Sequence, residues 1–142
     1  MKIYLDNCCF NRPFDDQTQL KIHLESQAKL FIQHKIICKE YKLVWSFILE
    51  YENNQNPYEI RKNTIIKWKS LASEIIMQNE EIIKFAERLN AMGIKSKDAL
   101  HVACAVFSDC DYFITTDRKL LSLKIKEIKI SSPIDFAIEM EG

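Results

Sequence analysis

The chain has only two glycines in 142 residues, Gly93 and Gly142. Neither a glycine-rich phosphate loop nor a dinucleotide fingerprint can be built from them, so any phosphate chemistry needs another device. Net charge of one sign is also missing, since 20 basic residues balance 20 acidic ones. A protein that coats nucleic acid is usually basic, so a nucleic-acid substrate would have to be gripped locally or through a cation. No apolar run is long enough to span a bilayer, and Asp6 and Asn7 interrupt the first one before it resembles a signal peptide. A cytoplasmic protein without a membrane partner is expected. Paired cysteines are lacking as well. Cys8, Cys9, Cys38, Cys104 and Cys110 are odd in number and form no CxxC. Cys104 reads as a small buried hydrophobe, and a catalytic thiol at Cys8 or Cys9 has no evident histidine partner.

Hydrophobic residues at 47% and charged residues at 28% suit one globular domain, taken here as residues 1–142. The runs "KIYL" (2–5), "KLVWS" (42–46), "YFIT" (112–115) and "IKEIKI" (125–130) read as strands, the last one exposed. A polar loop, "DNCCFNRPFDDQ", follows the first strand. Leu20, Leu24, Ala28 and Phe31 predict an amphipathic helix from Thr18 onward. Ser46 is placed to cap the helix carrying "FILEYEN". "NPYE" (56–59) reads as a helix start with Asn56 as cap, and Ile60, Thr64, Ile65, Trp68, Leu71 and Ala72 as its buried face. A helix over 78–92 stops at Gly93, Ser96 caps an apolar helix over 97–109, Asp117 opens a short helix to Leu121, and "PIDFAIEM" closes the chain with another. Alternation of this kind predicts a parallel sheet with helices on both faces.

Asp6 and Asp117 each follow a strand, Glu52 lies in the helix after the second strand, and Asp98 opens the apolar helix. In a doubly wound sheet these positions share the carboxyl edge, where ligands bind. Converging carboxylates repel, and a divalent cation with oxygen ligands, Mg²⁺ or Mn²⁺, would remove that penalty and support phosphodiester hydrolysis. Each acid also has an ordinary use. Asp6 and Asp117 suit helix caps, Asp98 suits the positive end of a helix, and Glu52 suits solvent.

The segments "YLDNCCFNRPFDD", "SFILEYENNQNP", "KSKDALHVACAV" and "DYFITTDRKLL" stand in one order across nearly the whole chain. Together they resemble the PIN-domain family and its VapC-like toxins, most specifically in Asp-Ala-Leu-His (98–101) followed by Thr115 and Asp117. The resemblance implies a three-layer α/β/α sandwich with a parallel sheet of four to five strands. It implies a Mg²⁺- or Mn²⁺-dependent ribonuclease with Asp6, Glu52, Asp98 and Asp117 as catalytic acids, and with Asp6, Asp98 and Asp117 on the metal. Asn7 and Thr115 would support them. Glu50 is the alternative second acid, although two residues from Glu52 it faces another direction. His101 reads as structural. Arg12, Arg118 and Lys119 flank the acids as candidate contacts to substrate phosphates. An RNA substrate, an antitoxin protein and a homodimer are the implied partners, with exposed apolar side chains before Asn56 available to either protein. A PIN-like binding module with little catalysis is the main alternative, and a metal requirement for activity would separate the two. A phospho-acceptor receiver domain fits poorly, because Asn7 stands where its second acid belongs. A phosphatase acting on a small ester would use the same metal chemistry.

Overall fold

The computed structural model describes residues 1–141. Its sheet is built from β1 (Lys2–Leu5), β2 (Lys42–Ser46), β3 (Glu74–Ile76), β4 (Tyr112–Ile114) and β5 (Lys129–Ser131). All neighbours are parallel, in the order β3-β2-β1-β4-β5. The helices are α1 (Asn7–Asn11), α2 (Leu20–Ile37), α3 (Phe47–Asn54), α4 (Glu59–Ile66), α5 (Glu80–Ala91), α6 (Ser96–Phe107), α7 (Arg118–Leu121) and α8 (Pro133–Glu141). No helix is long and apolar enough to cross a membrane among the described residues.

Side-chain alternation assigns the two faces of the sheet. Tyr4 of β1 stacks on its register partner Phe113 of β4, and its hydroxyl reaches His101 of α6. Tyr112, one residue away, turns to the opposite face and packs edge-on against Phe136 of α8. Helices therefore cover both faces, giving the expected three-layer α/β/α sandwich. In α6, Ala99, Ala103 and Ala105 are buried along with Val102 and Cys104, and the small side chains bring that helix close to β2 and β4.

With so few glycines, helix ends are made from other residues. Three helices close with the same pair of bonds, a Schellman motif. Ile94 N–H donates to Leu89 O and Gly93 N–H to Asn90 O; Glu40 to Lys35 with Lys39 to Ile36, and Cys110 to Ala105 with Asp109 to Val106, repeat the pattern. The left-handed residue is Gly93 in one case, but Lys39 (φ 63°) and Asp109 (φ 57°) in the others.

Several expectations need correction. The supposed loop after β1 contains α1 and a 3₁₀ turn at Arg12–Phe14, because Asp6 caps a helix there. The face chosen for α2 is wrong at its start: Leu20 and Leu24 are exposed, while Glu25 and Lys29 are buried with Ile32 and Ile36. Asn56 does not cap α4. Its side chain accepts from Tyr58 N–H, and the helix begins at Glu59 with Ile60 exposed and only Ile65 buried. Trp68 is buried, but in a 3₁₀ turn at Lys67–Leu71, where Leu71 is exposed. Ser96 is inside α6 rather than its cap, and its hydroxyl bonds Asn90 instead. The strand expected at 125–130 is displaced to Lys129–Ser131, and β3 was not foreseen.

Candidate active site

β1 lies at the centre of the sheet. The chain leaves it toward β2 and β3, then returns to place β4 on its other side. The crevice of such a sheet opens at this reversal of strand order, beyond the carboxyl ends of β1 and β4. Asp6 stands directly after β1, and Thr115 and Asp117 follow β4.

Asp6 is buried, and both its carboxylate oxygens are engaged. Oδ1 accepts from Asn7 N–H at 2.8 Å, and Oδ2 accepts from the Thr115 hydroxyl at 2.8 Å. Thr115 Oγ1 in turn accepts from Asp117 N–H at 3.1 Å, so one hydroxyl ties the first acid to the backbone of the last. Asp117 caps α7 through Oδ1, which accepts from Lys119 N–H and Leu120 N–H at 2.8 and 3.2 Å. Its Oδ2 has no hydrogen-bond partner among the described residues. Capping and site roles thus coexist, since each cap leaves a carboxylate at the crevice.

Asp98, half-buried in the first turn of α6, receives no hydrogen bond from protein among the described residues. Its pKa is raised, first by burial and then by the charges of Asp6 and Asp117, with Glu52 adding a little. These acids therefore feel one another, although they come from distant parts of the chain.

Glu52 reaches the cluster through a histidine. Ser46 caps α3 by accepting from Leu49 N–H at 3.2 Å, and its hydroxyl meets Tyr4 Oη at 2.6 Å. Tyr4 Oη meets His101 Nδ1 at 2.7 Å, and His101 Nε2 bonds Glu52 Oε1. With an ionised Glu52 only accepting, Nε2 carries a proton, and with His101 neutral the remaining bonds run one way: Ser46 to Tyr4, Tyr4 to Nδ1. His101 Nε2 is also 3.9 Å from Asp6 Oδ1. Burial opposes charge on His101, but the Glu52 bond and the charges of Asp6 and Asp98 raise its pKa overall. Burial likewise works against ionised Glu52, yet the His101 bond holds its pKa down. His101 is structural, as expected, in being fully buried and bonded, but it also positions a site acid. The i, i+3 spacing from Asp98 to His101 on one helix face was the available signal.

The alternative second acid is turned away. Glu50 pairs with Lys69 at 2.6 Å, outside the cluster. Arg12 is tied to Glu25 and Asp15 at 2.9 Å each, so its guanidinium is already engaged by carboxylates. Arg118 and Lys119 are exposed at the start of α7 and form no ion pair among the described residues. Cys8 Sγ lies 3.6 Å from Asp6 Oδ2 with no histidine beside it, and burial pushes the Cys9 thiol well up. Neither is set up as a nucleophile.

Among the described residues no three His, Cys, Asp or Glu side chains form a ready-made metal cage. The donor set nevertheless fits a hard divalent cation. Mg²⁺ usually keeps several waters and takes one or two carboxylates together with substrate phosphate, not a closed protein cage. Asp98 and Asp117 Oδ2 offer oxygens without protein donors among the described residues, and the pKa of Asp98 is raised by burial and by the neighbouring acids, both of which a cation would offset.

No protein-family model matches this chain, and no curated protein matches it. Solved structures do. VapBC2 from Rickettsia felis, bound to a DNA fragment from its promoter, matches with a TM-score of 0.60 at 12% identity, covering 93% of this chain and 98% of that one. FitAcB from Neisseria gonorrhoeae matches at 0.58 and 14%, covering 92% and 97%. VapBC-1 from nontypeable Haemophilus influenzae matches at 0.55 and 19%, covering 94% and 98%. At these identities the likeness establishes the fold alone, a three-layer sandwich around a parallel sheet.

Proposed function

We propose that the protein is a Mg²⁺- or Mn²⁺-dependent endoribonuclease, and the toxin of a toxin–antitoxin pair. The observation that carries this reading is the approach of Asp6, Glu52, Asp98 and Asp117 at the reversal point of a parallel sheet. Asp6, Asp98 and Asp117 would hold the cation, with Glu52 beside them. When bound, the ion would orient the phosphodiester and lower the pKa of an attacking water.

The protein's own residues supply placement. Thr115 and the Asn7 N–H fix the Asp6 carboxylate, and the cap of α7 fixes that of Asp117. His101, oriented by Tyr4 and Ser46, holds Glu52 toward Asp6. Arg118 and Lys119 extend from the first turn of α7 beside Asp117, where exposed cations serve as phosphate contacts. Resemblance to VapC-like toxins supports RNA over a small phosphate ester. The antitoxin and homodimer readings draw on the same resemblance. They also draw on the exposed Leu20, Leu24, Leu30 and Ile37 of α2, an apolar surface of the kind partners cover.

The test is incubation of the purified protein with mixed RNA in Mg²⁺, Mn²⁺ or EDTA, beside Asp98→Asn. Cleavage that requires metal and falls at least about a hundredfold in the variant is the expected result. Absence of cleavage in every metal would instead favour a PIN-like binding module, while cleavage surviving in Asp98→Asn would place the chemistry elsewhere.

A further inference from the structure

We propose that a pocket adjoining the acid cluster is a subsite for one unpaired nucleobase next to the scissile phosphate. This inference rests on the ribonuclease reading for its substrate and gives that substrate a base preference. The pocket is an open hollow of about 290 Å³ that shares Glu52 with the cluster. Its size lies at the small end of ligand sites, suited to one planar group.

Its chemistry is distinctive because it is rich in amides and offers no free cation. Asn7, Asn11, Gln55 and Asn56, four residues that carry side-chain amides, line it. Two of these amides, those of Asn56 and Asn11, are fixed in series. Tyr58 N–H donates to Asn56 Oδ1 at 3.1 Å, Asn56 Nδ2 donates to Asn11 Oδ1 at 3.1 Å, and Asn11 Nδ2 donates to Asn7 O at 3.1 Å. The Asn7 Nδ2 donor and the whole Gln55 amide have no protein partner among the described residues. The pocket's one cation is already used, since Arg61 pairs with Asp15 at 3.0 Å. A phosphate would therefore find no free cation here, and the Glu52 carboxylate, bonded to His101, adds a negative charge that disfavours it further. A neutral ring edge that alternates donors and acceptors would find amides, which offer both and can engage a base edge with two bonds.

The lining also includes one aromatic residue. Tyr58 is 58% exposed although it lines the pocket, and the Arg61 guanidinium backs its ring at 4.6 Å from the centroid. Arg61 is itself held by Asp15 and by the Phe14 carbonyl, so the ring has a fixed support. Unstacked bases of single-stranded RNA are bound by this combination of aromatic stacking and edge hydrogen bonds. Asn7 joins the two regions, since its backbone N–H holds Asp6 and the same residue lines the pocket.

Two measurements on the full chain test the proposal. The first maps cut sites on a randomised single-stranded RNA with wild type, Tyr58→Ala and Gln55→Ala. The second measures binding of A, C, U and abasic RNA hexamers to Asp98→Asn by fluorescence anisotropy, with and without Tyr58→Ala added. The expected results are a base bias beside the wild-type cut that collapses in both pocket variants, and hexamer binding that weakens about tenfold without Tyr58 or without bases. Cleavage with no bias, or with a bias that survives both substitutions, would overturn the pocket while leaving the nuclease reading intact. If wild type cuts no RNA, the nuclease reading fails and the hexamers decide alone. Base-dependent binding lost in Tyr58→Ala would uphold the subsite, and binding indifferent to bases or to Tyr58, or no binding, would overturn it.

Discussion

The Thr115 hydroxyl donates to Asp6 Oδ2 at 2.8 Å, joining the residue after β4 to the residue after β1 across the sheet's central pair. Both are buried, and Thr115 also accepts from Asp117 N–H. Thr115→Val keeps the shape and removes the hydroxyl, leaving a buried carboxylate oxygen and a backbone N–H short of partners. Such loss costs about 1–3 kcal/mol. Urea titration should show that destabilisation, and RNA cleavage should fall with it, while Thr115→Ser restores both. A Thr115→Val protein of wild-type stability and activity would remove the hydroxyl from the account of the site.

Glu50 and Glu52 are two residues apart on α3 and have unrelated surroundings. Glu52 meets His101 in the cluster, whereas Glu50 forms a half-exposed pair with Lys69. Surface pairs of that kind contribute about 0–1 kcal/mol. Glu52→Gln is expected to lower cleavage at least about tenfold, and Glu50→Gln to leave rate and stability close to wild type. Parallel single-turnover assays of the two variants check this. The reverse ranking would make Glu50 the second acid.

Much of this arrangement is readable from the chain because the acids punctuate strands. An apolar run stopped by Asp6, and another by Thr-Thr-Asp at 115–117, already mark one edge of a parallel sheet. The parts that escape depend on tertiary partners. Glu25 and Lys29 are charged, yet Arg12 and the rings of Phe10 and Trp68 give them a place inside, so α2 turns a face that periodicity assigns to solvent. β3 is three residues long at the sheet edge, with Ile75 half-exposed, too short to display a period. α1 is hidden because its capping residue is also a site acid, and Pro13 just beyond suggests a loop. The pocket of amide residues is invisible in sequence, since Asn11 and Asn56 meet only after α1 and the segment before α4 pack together.

Lys39 occupies the left-handed position that closes α2, at φ 63°, where Gly93 serves α5. A side chain there costs about 1 kcal/mol, and glycine avoids it at some entropic expense in the unfolded chain. Lys39 is exposed, so its replacement disturbs no packing. Lys39→Gly is expected to stabilise the protein by roughly 0.5–1 kcal/mol, seen as a higher urea midpoint with an unchanged slope. A lower midpoint would mean that the Lys39 side chain supports the helix end in a way that its geometry does not display.

Lys29 should govern how stability changes in alkaline solution. Its side chain is only 4% exposed, its Nζ donates to Gln33 Oε1 at 2.7 Å, and it lies 4.8 Å from the Trp68 ring centroid. Burial pushes its pKa down from 10.5 to about 8. Between those values the unfolded chain binds more protons than the folded one, so this residue makes stability rise with pH. Below pH 8 the cost of burying the charge is fully present, roughly 3 kcal/mol before the attraction of the rings offsets part of it. Lys29→Met keeps an apolar stem and removes the charge. The variant should exceed wild type by about 1–3 kcal/mol at pH 7, and the difference should shrink steadily toward pH 10.5. Urea titrations of both proteins at several pH values measure that difference directly, with other alkaline groups cancelling between them. A constant difference across the window would show that Lys29 titrates at an ordinary pKa, and that the rings compensate its burial completely.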